Sequence, residues 1–342
     1  MKHNIVMRLI IFAVVICVSL FVGFVAFVHW ADSPRSIEGE GALFSIAKGA
    51  SLVSIANSLH EQGFTRSPLY TTLYARYASY SLKAGTYRLS PSYKTSEILF
   101  RLHEGKEESV RITIPEGLTV SKTARLLETE GIVSADAFIK AATKTALLAK
   151  FSIPASTAEG FLFPDTYSLH YHMDAEQLVS LMISNFFTKT AALPGVPSDV
   201  ETLYKKVILA SIVEREYRLI DEAPLIASVF TNRLAIGMGL QSCATVEYII
   251  TELQGLPHPT RLLAQDLEID SPYNTYLWAG LPPAPISNPG LIALSASFAP
   301  LKTNYRYFRL SDVTTGQHIF TRTLDEHVEA GRMLYLKKKA GR

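Results

Sequence analysis

The chain of 342 residues carries only two cysteines. Cys17 falls inside an uncharged run near the start, and Cys243 lies far down the chain. Geometry forbids a bridge between them within one molecule, which excludes a disulfide-stapled scaffold. The nine histidines are scattered, and no Cys/His group has zinc-site spacing. His170 and His172 sit on an alternating segment and read as surface residues rather than ligands. No metal and no organic cofactor is therefore expected. Charge is sparse too: 19% of residues are charged and the net charge is +2. No basic block appears before Lys337-Lys338-Lys339, which reads as a solvated end. A nucleic-acid partner is excluded on that ground.

What the sequence does have is an apolar surplus, 48% hydrophobic residues, concentrated near its N-terminus. From Leu9 to Val28 there is no charge, and Ser19 is the only polar side chain. That length matches the roughly 20 residues needed to cross a hydrocarbon core as a helix. Lys2 and Arg8 precede the run, while Asp32, Glu38 and Glu40 follow it. The positive-inside rule then makes 1–8 a cytoplasmic tail and places the bulk outside. Trp30 stands where an interfacial aromatic belongs. A cleaved signal would have an apolar region of about 7–15 residues and a small-residue cleavage site. This run is longer and leads into His29-Trp30, so 9–28 is predicted to be an uncleaved transmembrane helix.

Residues 29–41, rich in Ser, Gly and Glu, read as a linker. Beyond it the sequence echoes itself. FSIAKGASLVSIANSLHEQGFTRSPLY (44–70) matches ITIPEGLTVSKTARLLETEGIVSADAF (112–138). At a constant offset Gly49 pairs with Gly117, Ala56 with Ala124, Leu59 with Leu127 and Gly63 with Gly131. Each copy reads as strand, Gly turn, helix, Gly C-cap and second helix, with Ser51 and Thr119 as N-caps. Two copies are too few for a solenoid. They predict a duplicated βααβ unit, 42–106 and 107–190, ahead of a third segment, 191–342.

In that third segment, Thr202–Tyr217 and Pro224–Ile236 read as helices and Leu324–Lys337 as a closing amphipathic helix. Arg306–Leu310 and His318–Phe320 read as strands around a Thr315-Gly316 turn. Val207–Val213 has no charge, and a helix apolar all round is a buried one. It runs into Glu214. Val207, Ala210, Ser211 and Glu214 share a face, whereas Glu216 points about 200° away. A carboxyl at the end of a buried face loses hydration when ionised, so its pKa rises. A general acid needs that property. The plainer alternative is an ion pair with Arg218 one turn on.

Two further stretches have an unusual make-up. Glu159–Tyr167 combines Glu159 and Asp165 with aromatics including Tyr167. Tyr273, Asn274 and Thr275 precede the stiff loop Gly280–Ile286. Such side chains can stack on sugars or bond hydroxyl and acetamido groups; each, taken alone, can equally serve to pack a loop.

At these residues the sequence resembles the MltG (YceG-like) family of endolytic murein transglycosylases. The matching pieces are IPEG at Ile114–Gly117, EGFLFPDTY at Glu159–Tyr167, LASIVERE at Leu209–Glu216 and ASVFTNRL at Ala227–Leu234. GMGLQ at Gly237–Gln241, SPYNTY at Ser271–Tyr276 and GLPPAPISNPG at Gly280–Gly290 continue the series in order. The resemblance implies an α+β chain with an N-terminal transmembrane helix, a LysM-like subdomain in 42–106 and a larger catalytic region. It implies an inner-membrane location, glycan strands of peptidoglycan as substrate, cell-wall synthases as candidate partners, and Glu214 as the catalytic acid. Glu159, Asp165, Tyr167, Gln241, Tyr273, Asn274 and Thr275 are the substrate-binding candidates, expected to wall a cleft with Glu214 on its floor. Two departures stand out. Cys243 and Ala244 replace the family's usual Asp-Pro, and Ala284 replaces a Gly. Cys243 cannot reproduce a carboxylate near neutral pH.

A hydrolase acting on glycosidic bonds usually needs two carboxylates. A lytic transglycosylase can use one, because the sugar's own 6-hydroxyl is the nucleophile and positioning replaces the second group. No partner for Glu214 is evident in the sequence, with distant Glu159 as the reserve. A water-using muramidase and a non-catalytic glycan-binding scaffold are the competing readings.

Overall fold

The computed structural model describes residues 2–340, with side chains for 5–336; the lysine triplet's side chains lie outside that range. Contacts cluster into two compact units, Met1–Val110 with Leu169–His172, and Arg111–Ser168 with Met173–Arg342.

Helix α1 (Lys2–Asp32) opens the first unit. Its stretch Ile5–Asp32 has mean hydropathy 3.1 and is long and apolar enough to cross a membrane. The helix runs past Val28 to Asp32 and is tied down there. Asp32 Oδ1 accepts from Ser96 N at 2.9 Å, and Thr95 Oγ1 donates to Ala31 O at 2.9 Å. Arg66 and Arg35 then hold the following segment, Arg66 Nη2 on Pro34 O and Arg35 Nη1 on His60 O. The stretch expected as a linker is thus fastened by guanidinium bonds from far along the chain, which its Ser/Gly composition does not reveal.

Strand β1 (Ala42–Ile46) is followed by α2 (Leu52–Glu61), α3 (Pro68–Tyr77), β2 (Gly85–Leu89) and α4 (Thr95–Glu104). β1 and β2 pair antiparallel from Ala42↔Leu89 to Ile46↔Gly85. Their inner faces and the helices bury Phe44, Ile46, Ile55, Leu59, Tyr87 and Leu102. Next come β3 (Ser109–Thr113), α5 (Val120–Thr129), α6 (Ala135–Ala142), α7 (Thr145–Lys150), β4 (Thr166–His170) and α8 (Ala175–Thr190). β3 pairs with β4.

The local geometry of the two stretches agrees at matching positions. Ser51 Oγ accepts from Ser54 N, and Thr119 Oγ1 from Lys122 N. Gly63 and Gly131 take φ of 86° and 70°, a left-handed conformation that favours glycine. The next residue then returns a bond to the helix, Phe64 N to Leu59 O at 2.8 Å and Ile132 N to Leu127 O at 2.9 Å. The second stretch adds the short helix α7.

The rest of the second unit is built on α9 (Val200–Glu216), which Asp199 caps by accepting from Thr202 N at 2.8 Å. α10 (Ala223–Ala235), α11 (Cys243–Tyr248) and α12 (Leu291–Phe298) pack against it. Every residue from Val207 to Val213 is buried. Strands β5 (Tyr307–Leu310) and β6 (His318–Thr321) form an antiparallel hairpin before α13 (Leu324–Ala340). The whole is a mixed α+β fold with small two-stranded sheets and many helices.

Candidate active site

α9 is apolar on all sides from Val207 to Val213, so the carboxyl that follows emerges where the packing ends. Glu214 is half-buried there. Its Oε2 accepts from Gly290 N at 2.9 Å. Burial, reinforced by the Glu116 carboxylate, pushes its pKa up to about 7; the Gly290 N–H bond, the Tyr217 hydroxyl and Arg215 act in the opposite direction. Glu116 reaches the same place from the IPEG turn. Its carboxylate lies over the position a Cβ on Gly290 would take, so it rests directly on the glycine. Gly117 is beside them, its notional Cβ 3.5 Å from Glu214 Cγ. Gly117 takes a left-handed φ of 75°, which favours glycine, and Gly290 leaves room for the Glu116 side chain.

Those loops are held by α9 and by Asn288. Ser211 Oγ accepts from Ile286 N at 3.0 Å, and Ser287 Oγ donates to Ser211 O at 3.0 Å. Asn288 is 2% exposed and fully used. Its Oδ1 accepts from Gly160 N and Leu162 N, and its Nδ2 donates to Leu118 O and Glu159 Oε1. Gly117 N donates to Asn288 O at 2.9 Å. One amide thus joins the IPEG, EGFLFPDTY and ISNPG segments into a single support for Glu214.

The expected binding residues spread over three places. Glu159 is 4% exposed, with both oxygens turned to Val120 N at the start of α5. Burial raises its pKa to about 8 against that backbone bond. It serves as an internal cap, shut off from solvent. Asp165 and Tyr167 meet Asn185, whose Nδ2 donates to Asp165 Oδ2 at 3.0 Å and to the Tyr167 hydroxyl at 3.1 Å. The Asn185 bond, then Lys189, holds Asp165 below the usual carboxylate range.

Gln241, Tyr273, Asn274 and Thr275 form a third group. Gln241 N donates to Thr275 O, and Thr275 Oγ1 accepts from Ser242 N. Asn274 Nδ2 donates to Leu267 O and Ile269 O, and the Tyr273 ring lies tilted against Tyr248, centroids 5.1 Å apart. Through Ser242 this group reaches Glu216: Ser242 Oγ donates to Glu216 Oε1. Ser242 thus covers part of the opposite side of α9. Burial pushes Glu216 up to about 7, against the Ser242 bond. A cavity of about 520 Å³ opens on this side, lined in part by Glu216, Gln241, Cys243 and Tyr276. Cys243 Sγ contacts the Tyr276 hydroxyl at 3.2 Å, and burial raises its thiol pKa. Sequence reasoning missed Glu116, Tyr217 and Gly290. Their motifs were visible, yet nothing in the spacing joins IPEG and SNPG to the end of α9.

The fold and site define a class: an α+β chain with one apolar N-terminal helix and a carboxyl of raised pKa ending a buried helix between two Gly turns. The chain belongs to the YceG-like family, whose model matches residues 44–333. It is similar to the endolytic murein transglycosylase of Streptococcus pneumoniae (strain ATCC BAA-255 / R6), at 30% identity over 341 residues, covering 89% of this chain and 61% of that protein. The endolytic murein transglycosylase of Bacillus subtilis (strain 168) is 31% identical over 305 residues, covering 84% of this chain and 82% of that protein. The crystal structure of a YceG-like protein from Listeria monocytogenes matches with TM-score 0.56 and 31% identity, covering 85% of this chain and 99% of that one. The chain thus spans about three fifths of the pneumococcal relative.

Proposed function

We propose that this chain is a membrane-anchored endolytic murein transglycosylase in which Glu214 acts first as acid and then as base. The carrying observation is Glu214 itself, a half-buried carboxyl with a pKa of about 7 in a family whose matched relatives bear that name. At neutral pH a large share of it is protonated while its conjugate base is still accessible, which suits one group to both proton transfers.

The acid would protonate the glycosidic oxygen leaving C1 of a muramic residue. The resulting carboxylate would take the proton of that sugar's 6-hydroxyl as its oxygen closes on C1. The strand is cut, the proton count balances, and a 1,6-anhydro end forms without water. Glu116, exposed beside Glu214, favours the protonated starting state by its negative charge. The same charge lies where it can stabilise positive charge developing on the sugar. Gly290 N–H keeps the Glu214 carboxyl oriented. With α1 as an anchor and Lys2 and Arg8 on the cytoplasmic side, the site works outside the membrane, where synthases make nascent strands.

One observation favours a second reading. Two neighbouring carboxylates, Glu214 and Glu116, are also what a water-using muramidase needs. Mass spectrometry of uncrosslinked glycan digested by the full-length chain in detergent separates the two. Anhydro ends support the transglycosylase, and reducing ends would replace it with the muramidase.

A further inference from the structure

The cavity on the Glu216 side of α9 has an imbalance of charge that the reaction above leaves unused. Arg218, Arg233 and Arg309 all line it. Among the described residues, none of the three has a carboxylate at salt-bridge distance. Arg233 is 6% exposed. Its Nε donates to Arg306 O and its Nη1 to Leu240 O, both at 2.6 Å, and its guanidinium lies 5.2 Å over the Tyr307 ring. Carbonyls and a ring face satisfy its donors without cancelling its charge. Arg309 is half-buried and donates only to His327 O, at 3.3 Å.

The nearby acids are mostly engaged elsewhere. Glu247 holds Arg215 at 3.2 Å, and Glu222 holds His318 at 2.6 Å. Glu216 is bonded by Ser242. The His327 ring also faces the cavity, with its Nδ1 buried and lacking a hydrogen-bond partner. Burial, then the charges of Arg309 and Arg233, hold that imidazole below its usual range, so positive charge converges on it. A buried guanidinium without a counter-ion is costly. A site that sets one buried, one half-buried and one exposed guanidinium, none with a carboxylate partner among the described residues, around 520 Å³ of open space is built for an anion to complete it.

We propose that this cavity is a subsite for a carboxylate of the peptide carried on the lactyl group of the strand's muramic residues. The assignment rests on peptidoglycan being the substrate, as proposed above. While the peptide is attached, the lactyl carboxyl is tied up as an amide, so the peptide supplies the strand's repeated negative charge. Glu214 and Glu216 lie two residues apart, on opposite sides of a helix roughly 10 Å across. The cavity is therefore about a sugar or two from the cleavage point, and such a peptide recurs along the strand. A terminal diphosphate occurs only at one end. Recognition here would direct cutting to strands that still carry their peptides.

The test uses the full-length chain in detergent. Uncrosslinked strands are offered with their peptide carboxylates free, and after carbodiimide coupling with excess ammonia has converted those carboxylates to neutral amides. In parallel, binding of a soluble disaccharide-peptide is compared with its amidated form and with inorganic pyrophosphate. Amidation should raise KM and Kd about tenfold or more, the worth of one charge-assisted contact. Arg309→Gln with Arg218→Gln should abolish most of that preference, and Arg309→Lys should keep part of it. Both residues are exposed or half-buried, so the fold should survive, checked by an unchanged melting temperature. Equal handling of strands with free and with amidated peptides would overturn the proposal, as would a preference intact in the double variant. Displacement by pyrophosphate but not by the peptide would overturn it too. Peptide-dependent binding without any cleavage would support the subsite while sinking the proposed reaction.

Discussion

Glu214 and Glu116 converge on Gly290 from opposite ends of the site. The glycine's N–H donates to Glu214 Oε2 at 2.9 Å, and the Glu116 carboxylate lies where a Cβ would crowd it. This contact couples the acid to a second charge. Glu116 raises the pKa of Glu214, so its removal lowers it. Glu116→Gln should move the alkaline limb of the kcat/KM profile to lower pH. Gly290→Ala should do the same. Its φ of −82° suits any residue, and the clash is with the free end of a flexible side chain, so only Glu116 needs to swing away. The check is a pH profile of cleavage beside a melting curve that hardly moves. A profile unchanged in both variants would mean the two carboxyls do not communicate.

Three carboxyls, Glu159, Glu214 and Glu216, have folded-state pKa values of about 8, 7 and 7 against an ordinary 4.5. A group raised on folding contributes its full stability below the unfolded pKa and loses it as pH rises through the folded value. The chain should therefore be most stable near pH 4–5 with respect to these groups, and lose stability progressively up to pH 8. Glu159 is the most buried and should dominate. Glu159→Gln leaves one amide N–H without an acceptor, which lowers stability overall, but it should flatten the decline between pH 5 and 8.5. Melting temperature followed across that range is the readout, and an unaltered slope in the variant would contradict this assignment.

Asn288 organises the support of the site, with four side-chain bonds to two other segments. Asn288→Ala strands Gly160 N and Leu162 N away from water, while Leu118 O keeps its bond from the backbone N–H of position 288. Each such loss costs about 1–3 kcal/mol, with incomplete additivity, so a destabilisation of about 2 kcal/mol or more is expected in denaturant unfolding. Activity should fall even where the protein is still folded, because the loop that ends at Gly290 loses its tie to Gly160 and Leu162. A variant as stable as the parent would show that the network is dispensable.

Local signals made much of this legible. The caps at Ser51 and Thr119, the left-handed Gly63 and Gly131, and the apolar Val207–Val213 helix ending at Glu214 all follow from residue type and short spacing. The mixed fold and apolar first helix were equally readable. The gap lay in what surrounds α9. Helical periodicity places Glu216 away from Glu214. It cannot show that Ser242 and α11 cover that side too. Nor can composition tell a sugar-facing Glu from one capping α5, which is what Glu159 does. Glu116 was seen only as a letter of a motif. Its meeting with Glu214 depends on loops brought together by Asn288 across long sequence separations.

The central claim is that Glu214 supplies and then recovers the proton. Glu214→Gln keeps size and the Gly290 bond but has no transferable proton. The direct measurement is the yield of 1,6-anhydro ends from uncrosslinked glycan, by mass spectrometry, for the parent, Glu214→Gln and Glu216→Gln in detergent. Glu214→Gln should fall by about 10²–10⁴-fold or more, because one group serves both transfers. Glu216→Gln should retain the reaction with a modest loss from its buried bond to Ser242. Near-normal anhydro ends from Glu214→Gln, with their disappearance in Glu216→Gln, would contradict the account and move the acid to the other side of α9.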